Sequence, residues 1–450
     1  MKLNTLFITF YKIANLLPGY LNKQSNIFNK EYNSVLNYNL TENESNIIRN
    51  ISGFYGLIGS RNGDKKCNLF NTDRYIQGIF FDNGTINYCS HFVKTDKCNS
   101  IYPLSCESNT GLIHFNNKTY VIQENDNPYE IKVDFTKKKI KTINKLILKD
   151  TDEISPYPKI TENNIMHTIS YDRCPGRINY FKYDNEFNLI QKKKIITNYE
   201  PMINDFIVHE NKIIFTETPL TVNYKLLKDN KLPLMINNKN NNYIVIYDSF
   251  LDKTYYIKAN EHFMILHYIS SYEDQDNIYI YGIFYDESKF NSLFLSNIKD
   301  NYDRMNKNIL NIYAKYGKLR QLIINKNTDN ILIVKNKFYE SKNLNFIIQN
   351  KKYYIFSNIN QIIINKKDVD NNNDLFNNSV MIYDLSNNLN IIGEPIILDE
   401  HNIIISIVKK ENNKNYIFIL NIDNMKNILI PIDANINIME GFNSIFIEKH

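Results

Sequence analysis

Asn83-Gly84 lies between two runs, residues 75–81 and 85–93, that are apolar, aromatic and largely alternating. This dipeptide closes a two-residue β-hairpin, because both turn positions need φ > 0 and Asn and Gly tolerate it. The same form recurs along the chain. Residues 111–115 and 118–123 flank Asn116-Asn117, residues 179–183 and 189–196 flank an Asp-Asn-Glu turn, and residues 206–209 and 212–216 flank Glu210-Asn211. Residues 243–247 and 254–257 make a further pair, as do 380–383 with 390–392 and 415–422 with 427–432. Regular hairpins with few helical periods predict an all-β repeat architecture. A β-propeller suits the pattern, since each short sheet is covered by its neighbours. A chain of several β-sandwiches would show similar local signals, and no blade signature of the WD or kelch kind is present.

Three segments depart from the hairpin pattern. Residues 302–316 could form a helix, and the Asn/Asp-rich residues 368–378 read as a loop. Residues 1–45 are less patterned and read as an N-terminal extension, which leaves 46–450 as the propeller domain.

Composition excludes more than it selects. The net charge of +5 is spread along 450 residues, too weak a bias for a nucleic-acid binder. The five cysteines include no C-x-x-C pair, so neither a disulfide framework nor a zinc site is favoured and a reducing, cytoplasmic setting fits. The mildly apolar N-terminus is broken by Tyr11 and Lys12 and lacks the clean core of a signal peptide. No stretch reaches the ~18 uninterrupted apolar residues of a transmembrane helix. Motifs for a nucleophilic serine, a P-loop, a zinc protease or a dinucleotide fold are absent.

A second series of motifs carries chemistry. Ile58-Gly59-Ser60-Arg61-Asn62-Gly63 is followed by residues 76–96 (IQGIFFDNGTINYCSHFVKTD) and by Glu124-Asn125-Asp126-Asn127-Pro128-Tyr129. Then come Pro156-Tyr157-Pro158-Lys159, Ile203-Asn204-Asp205-Phe206 and Leu266-His267, the last running on to Glu273-Asp274. The chain closes on Gly441-Phe442-Asn443-Ser444-Ile445-Phe446. In order and spacing this series resembles the carotenoid cleavage oxygenase and retinoid isomerohydrolase family, from about residue 50 to the end.

The resemblance implies a seven-bladed propeller that holds ferrous iron on four neutral histidines. The family's A-H-P-K, M-H-D-F, F-H-x-x-N and G-F-H-G-x-F motifs supply those ligands. Here Tyr157, Asn204 and Asn443 stand at three of the ligand positions, and His267 alone is retained. Glu124 takes the place of a carboxylate that orients a ligand imidazole. For two further such carboxylates, the alignment offers Asn345 at one position and Asp399 or Glu400 at the other.

Imidazole suits ferrous iron as a neutral, borderline donor, whereas a carboxamide is a hard, weak oxygen donor. A phenolate could bind ferric iron, but beside two amides it gives the wrong charge for this chemistry. The resemblance therefore implies a carotenoid-oxygenase-like protein without catalysis, with no cofactor expected and Fe(2+) only if the site works. Such a protein would bind an apolar isoprenoid ligand or a protein. The alternative is a divergent non-haem iron dioxygenase that cleaves carotenoid-like or stilbene-like double bonds.

Other histidines are candidates to rebuild the site. Strand alternation turns His209 and His262 away, since each lies five residues from a ligand position; His167 remains. Residues 226–235 mix apolar and basic side chains; the residues alone read as a plain surface loop, and the resemblance implies peripheral membrane contact near this place. The 33 Tyr and 26 Phe suit a polyene pocket but suit an ordinary β core as well.

Overall fold

The computed structural model describes residues 31–450 apart from 37, 39, 62–72, 95–110, 123–125, 152, 172–175, 200–202, 223–233, 289–316, 345, 368–374, 377, 386–387, 400, 411–413, 437, 439–440 and 450. Seven sheets of four or five antiparallel strands follow one another as the blades of a seven-bladed β-propeller. The described residues fall into two compact units, one holding 153–345 with 371–377, the other 23–152, 346–370 and 378–450.

The first unit carries three blades. Blade 3 runs from Lys159–Ile160 through Met166–Tyr171 and Arg177–Tyr183 to Leu189–Ile196. Blade 4 comprises Ile207–His209, Lys212–Glu217, Asn242–Asp248 and Lys253–Ala259, with a separate hairpin, Leu220–Val222 and Leu234–Ile236, inserted between its second and third strands. Blade 5 comprises Phe263–Glu273, Asn277–Asp286, Lys318–Asn325 and Ile331–Lys335. Facing blades bury apolar side chains together. Ile178 and Tyr180 of blade 3 pack with Phe215 and Val245 of blade 4, and Ile214 and Ile246 of blade 4 pack with Ile280 and Leu322 of blade 5.

The second unit carries four blades. Blade 2 spans Gly111–Phe115 to Lys139–Lys145, blade 6 spans Phe346–Gln349 to Val380–Asp384, and blade 7 spans Leu389–Ile391 to Lys426–Pro431. Blade 1 joins both ends of the chain. Its strand Gly53–Arg61 pairs with Asp73–Asp82 on one side and with the last strand, Gly441–Glu448, on the other. Asn33–Val35 adds to its outer edge, and the helix Glu42–Arg49 follows, opened by a Thr41/Glu44 capping box. Tyr55 and Leu57 of blade 1 share a core with Ile405, Ile407 and Ile417 of blade 7.

Most expected hairpins form as read. Asn83 and Gly84 both take positive φ, 49° and 81°, as do Asn116 and Asn117. Residues 380–383 and 390–392 do not pair. Val380–Asp384 closes blade 6 against Gln361–Lys366, while Leu389–Ile391 joins blade 7 against Ile403–Lys410. Both runs have strand composition, and only the sheets available to each side settle the partner. The candidate helix 302–316 lies outside the described residues, as does most of the loop 368–378. Of that loop, Leu375 is buried and Phe376 meets the rings of Tyr281 and Tyr339.

Gly56 and Gly78 pair across blade 1, and the ring of Phe54 occupies the space above both. A Cβ at Gly78 would stand 2.2 Å from that ring. Gly78→Ala is expected to cost about 1–3 kcal/mol through overpacking. Urea denaturation would read this as a lower midpoint, and an unchanged midpoint would refute the tight fit.

Candidate functional site

Tyr157, Asn204 and His267 are brought together in the first unit. His267 lies on Phe263–Glu273, where pairing with the next strand slips between Ile265 and His267. Leu266 is thus the extra residue of a β-bulge, a device that frees a backbone group from the ladder and re-aims its neighbour. The freed Leu266 carbonyl accepts a hydrogen bond from Asn204 Nδ2 at 2.8 Å. The His267 ring meets Tyr157 edge to face, with centroids 5.3 Å apart.

An ion pair lies beside this group. Lys159 Nζ is 2.6 Å from Asp205 Oδ1, and Asp205 is buried. The Asp205 carboxylate also accepts the backbone N–H of Phe206 and of Tyr268. Asp205 thereby links blades 3, 4 and 5. Burial lowers the pKa of His267; the Asp205 charge opposes that shift and the Lys159 charge adds to it. The imidazole is therefore neutral at pH 7.

Asn443 has a comparable setting within the second unit. Pairing of Gly441–Glu448 with Gly53–Arg61 slips at Phe442, so Asn443 also follows a bulged residue. Its Oδ1 accepts the Leu112 N–H of blade 2 at 2.7 Å. The next residue, Ser444, donates its N–H to Glu394 Oε2 at 2.7 Å. Burial pushes the Glu394 carboxyl up to about 8. Sequence reading missed Glu394 and pointed to Asp399 or Glu400. Asp399 instead lines a separate cavity, and Glu400 lies outside the described residues. The missed signal is Gly393-Glu394-Pro395, an acid fixed at the mouth of a strand.

Glu124 and Asn345 lie outside the described residues, as does most of the stretch 226–235. His167 hydrogen-bonds through Nδ1 to the Tyr180 hydroxyl at 2.8 Å inside blade 3, and burial lowers its pKa to about 4. His262 contacts the Asn240 carbonyl through Nε2. His209 reaches Ser271, whereas Asn204 reaches Leu266, so the two differ by five positions along one strand. That is ~16 Å at strand rise.

The second unit contains a cavity of about 850 Å³ near the ends of the strands Gly111–Phe115, Phe346–Gln349, Ile396–Leu398 and Gly441–Glu448. Ile348, Ile396, Leu398 and Phe446 are among its apolar lining, and His114, Asp399 and Glu448 among its polar lining. Among the described residues, no helix is long and apolar enough to cross a membrane.

A family model described as "Retinal pigment epithelial membrane protein" matches residues 46–448. The chain belongs to this family. Solved structures agree with the fold. A cobalt-substituted apocarotenoid oxygenase from Synechocystis superposes with a TM-score of 0.69 at 12% identity, covering 94% of this chain and 97% of that one. Pseudomonas brassicacearum lignostilbene dioxygenase gives 0.69 at 12%, covering 96% and 98%. A chimera of apocarotenoid oxygenase and RPE65 gives 0.68 at 12%, covering 94% and 97%. No curated protein matches at a significant level.

Two expectations follow for this retinal pigment epithelial membrane protein family member. Asn443→Ala leaves the Leu112 N–H unpaired and should cost about 1–3 kcal/mol, read by urea denaturation; wild-type stability would show that the bond contributes nothing. Glu394 binds its proton more tightly folded than unfolded. The contribution of Glu394 to stability should therefore be fully present below the ordinary carboxylate pKa near 4.5 and be lost as pH rises toward about 8. Glu394→Gln should flatten that slope in a pH series of denaturation midpoints, and an identical slope would exclude Glu394 as its source.

Proposed function

We propose that this chain is a non-catalytic member of its family, in which the metal-ligand positions serve as hydrogen-bonded braces, and that it binds an elongated apolar ligand of the carotenoid or retinoid type. The observation that carries the proposal is the engagement of the two asparagines. Asn443 uses its oxygen, the only atom it could offer a metal, to accept the Leu112 N–H, and Asn204 donates its amide to the Leu266 carbonyl. One imidazole, one phenol and two carboxamides do not fit a ferrous ion of the kind the family resemblance implies. Losing even outer partners of a metal ligand typically costs ~10–100-fold in affinity, and three direct donors are replaced here.

The ligand class rests on two supports. The structural neighbours are named for apocarotenoid and lignostilbene chemistry. The cavity of about 850 Å³ falls within the size range of small-molecule sites, and half of its lining is apolar.

A second reading, an iron dioxygenase rebuilt around His267, draws on one observation. His267 is neutral, the form in which imidazole binds a metal. Metal content separates the two. The protein is purified under ferrous, oxygen-free conditions beside a Tyr157→His/Asn204→His/Asn443→His variant. The first reading expects no stoichiometric iron in the native chain and iron in the variant. Near-stoichiometric iron in the native chain would overturn it and favour oxygen-dependent cleavage. Mass spectrometry of an organic extract tests the ligand: a co-purifying isoprenoid supports it, and a clean extract with no retinoid or carotenoid binding on titration refutes it.

A further inference from the structure

His209, which takes no part in the group around His267, meets two carboxylates elsewhere in the first unit. It ends the strand Ile207–His209 of blade 4, Glu210 opens the following turn, and Glu273 ends the strand Phe263–Glu273 of blade 5. One ligand atom from each of the three lies within 4.8 Å of the others. We propose that His209, Glu210 and Glu273 form a binding site for a divalent ion of the zinc type that clips blade 4 to blade 5.

The state of the imidazole argues for an ion. The His209 side chain is 11% exposed, and its Nε2 is wholly shielded and makes no hydrogen bond. A shielded ring nitrogen without a bond is costly unless something is meant to fill it. Nε2 stands 3.5 Å from Glu273 Oε2, beyond the usual N–H···O range of ~2.7–3.2 Å. That spacing is close to the separation of two ligands on one tetrahedral ion, about 3.3–3.4 Å for bonds of ~2.0–2.1 Å.

The other ring nitrogen is already fixed. Nδ1 lies 3.0 Å from Ser271 Oγ, so Nδ1–H can donate there and leave the Nε2 lone pair for a metal. Zinc-bound histidines are oriented in this way by a partner on the far nitrogen. A donor set of one imidazole and two carboxylates suits zinc, with water as a fourth ligand. The competing cation is Lys212, whose Nζ lies 3.3 Å from Glu273 Oε2. An ion entering the site displaces this ammonium.

The test uses the full chain, stripped with a chelator and titrated with Zn²⁺ by calorimetry and with Co²⁺ by visible absorption. One binding event and a four-coordinate cobalt spectrum are expected. His209→Ala and Glu273→Gln should each weaken the event by at least the ~10–100-fold that even outer partners are worth. Lys212→Gln should strengthen it by removing the competitor. His267→Ala should leave it unchanged, which separates this site from the group at Tyr157. Circular dichroism melting of every variant identifies any that fail to fold, and the Lys212→Gln gain stands independently of those losses. Absence of binding, or binding that survives both His209→Ala and Glu273→Gln, would overturn the proposal.

Discussion

Each blade has two faces, and its neighbours must bury them. A four-stranded sheet rich in Ile, Phe and Tyr is not stable alone; burying one such side chain contributes roughly 1.5–3 kcal/mol, and only a facing blade provides the cover. The shared cores follow from this need. Ile214 and Ile246 are covered by Ile280 and Leu322, and Tyr55 and Leu57 by Ile405 and Ile407. The tight approach of Phe54 over Gly56 and Gly78 belongs to the same packing.

Polar links also join neighbouring blades. Asn204 to Leu266, Asp205 to Tyr268 and Lys159, and Asn443 to Leu112 each cross from one blade to the next. Two of these links depend on bulges at Leu266 and Phe442, which release backbone groups and turn the following residue. The positions that the family resemblance assigns to metal ligands are the same positions. A residue there that cannot bind iron can still join blades, because a carboxamide carries both a donor and an acceptor. This gives a physical reason for asparagine at two of them, and for Tyr157 against the imidazole of His267.

The hairpins were legible because turn chemistry is local. Asn83-Gly84 and Asn116-Asn117 adopt the positive φ that their residue types permit. Pairing across a blade boundary was not legible. Residues 380–383 and 390–392 look alike in composition, yet each has its partner on a different sheet. Glu394 escaped notice for a similar reason: its partner Ser444 is fifty positions away in sequence. His209 was set aside by strand alternation, and its meeting with Glu273 depends on the packing of two blades.

The sequence by itself determined the all-β class, the run of hairpins and the family, since these rest on residue type, period and motif order. It also fixed which residues, Tyr157, Asn204, His267 and Asn443, stand where the family resemblance puts metal ligands. Only the tertiary structure decided which atoms the replacements engage, which acid adjoins Asn443, and that His209 lies between Ser271 and Glu273. Those outcomes depend on bulges and on contacts between blades distant in sequence, where a shift of one residue changes every partner.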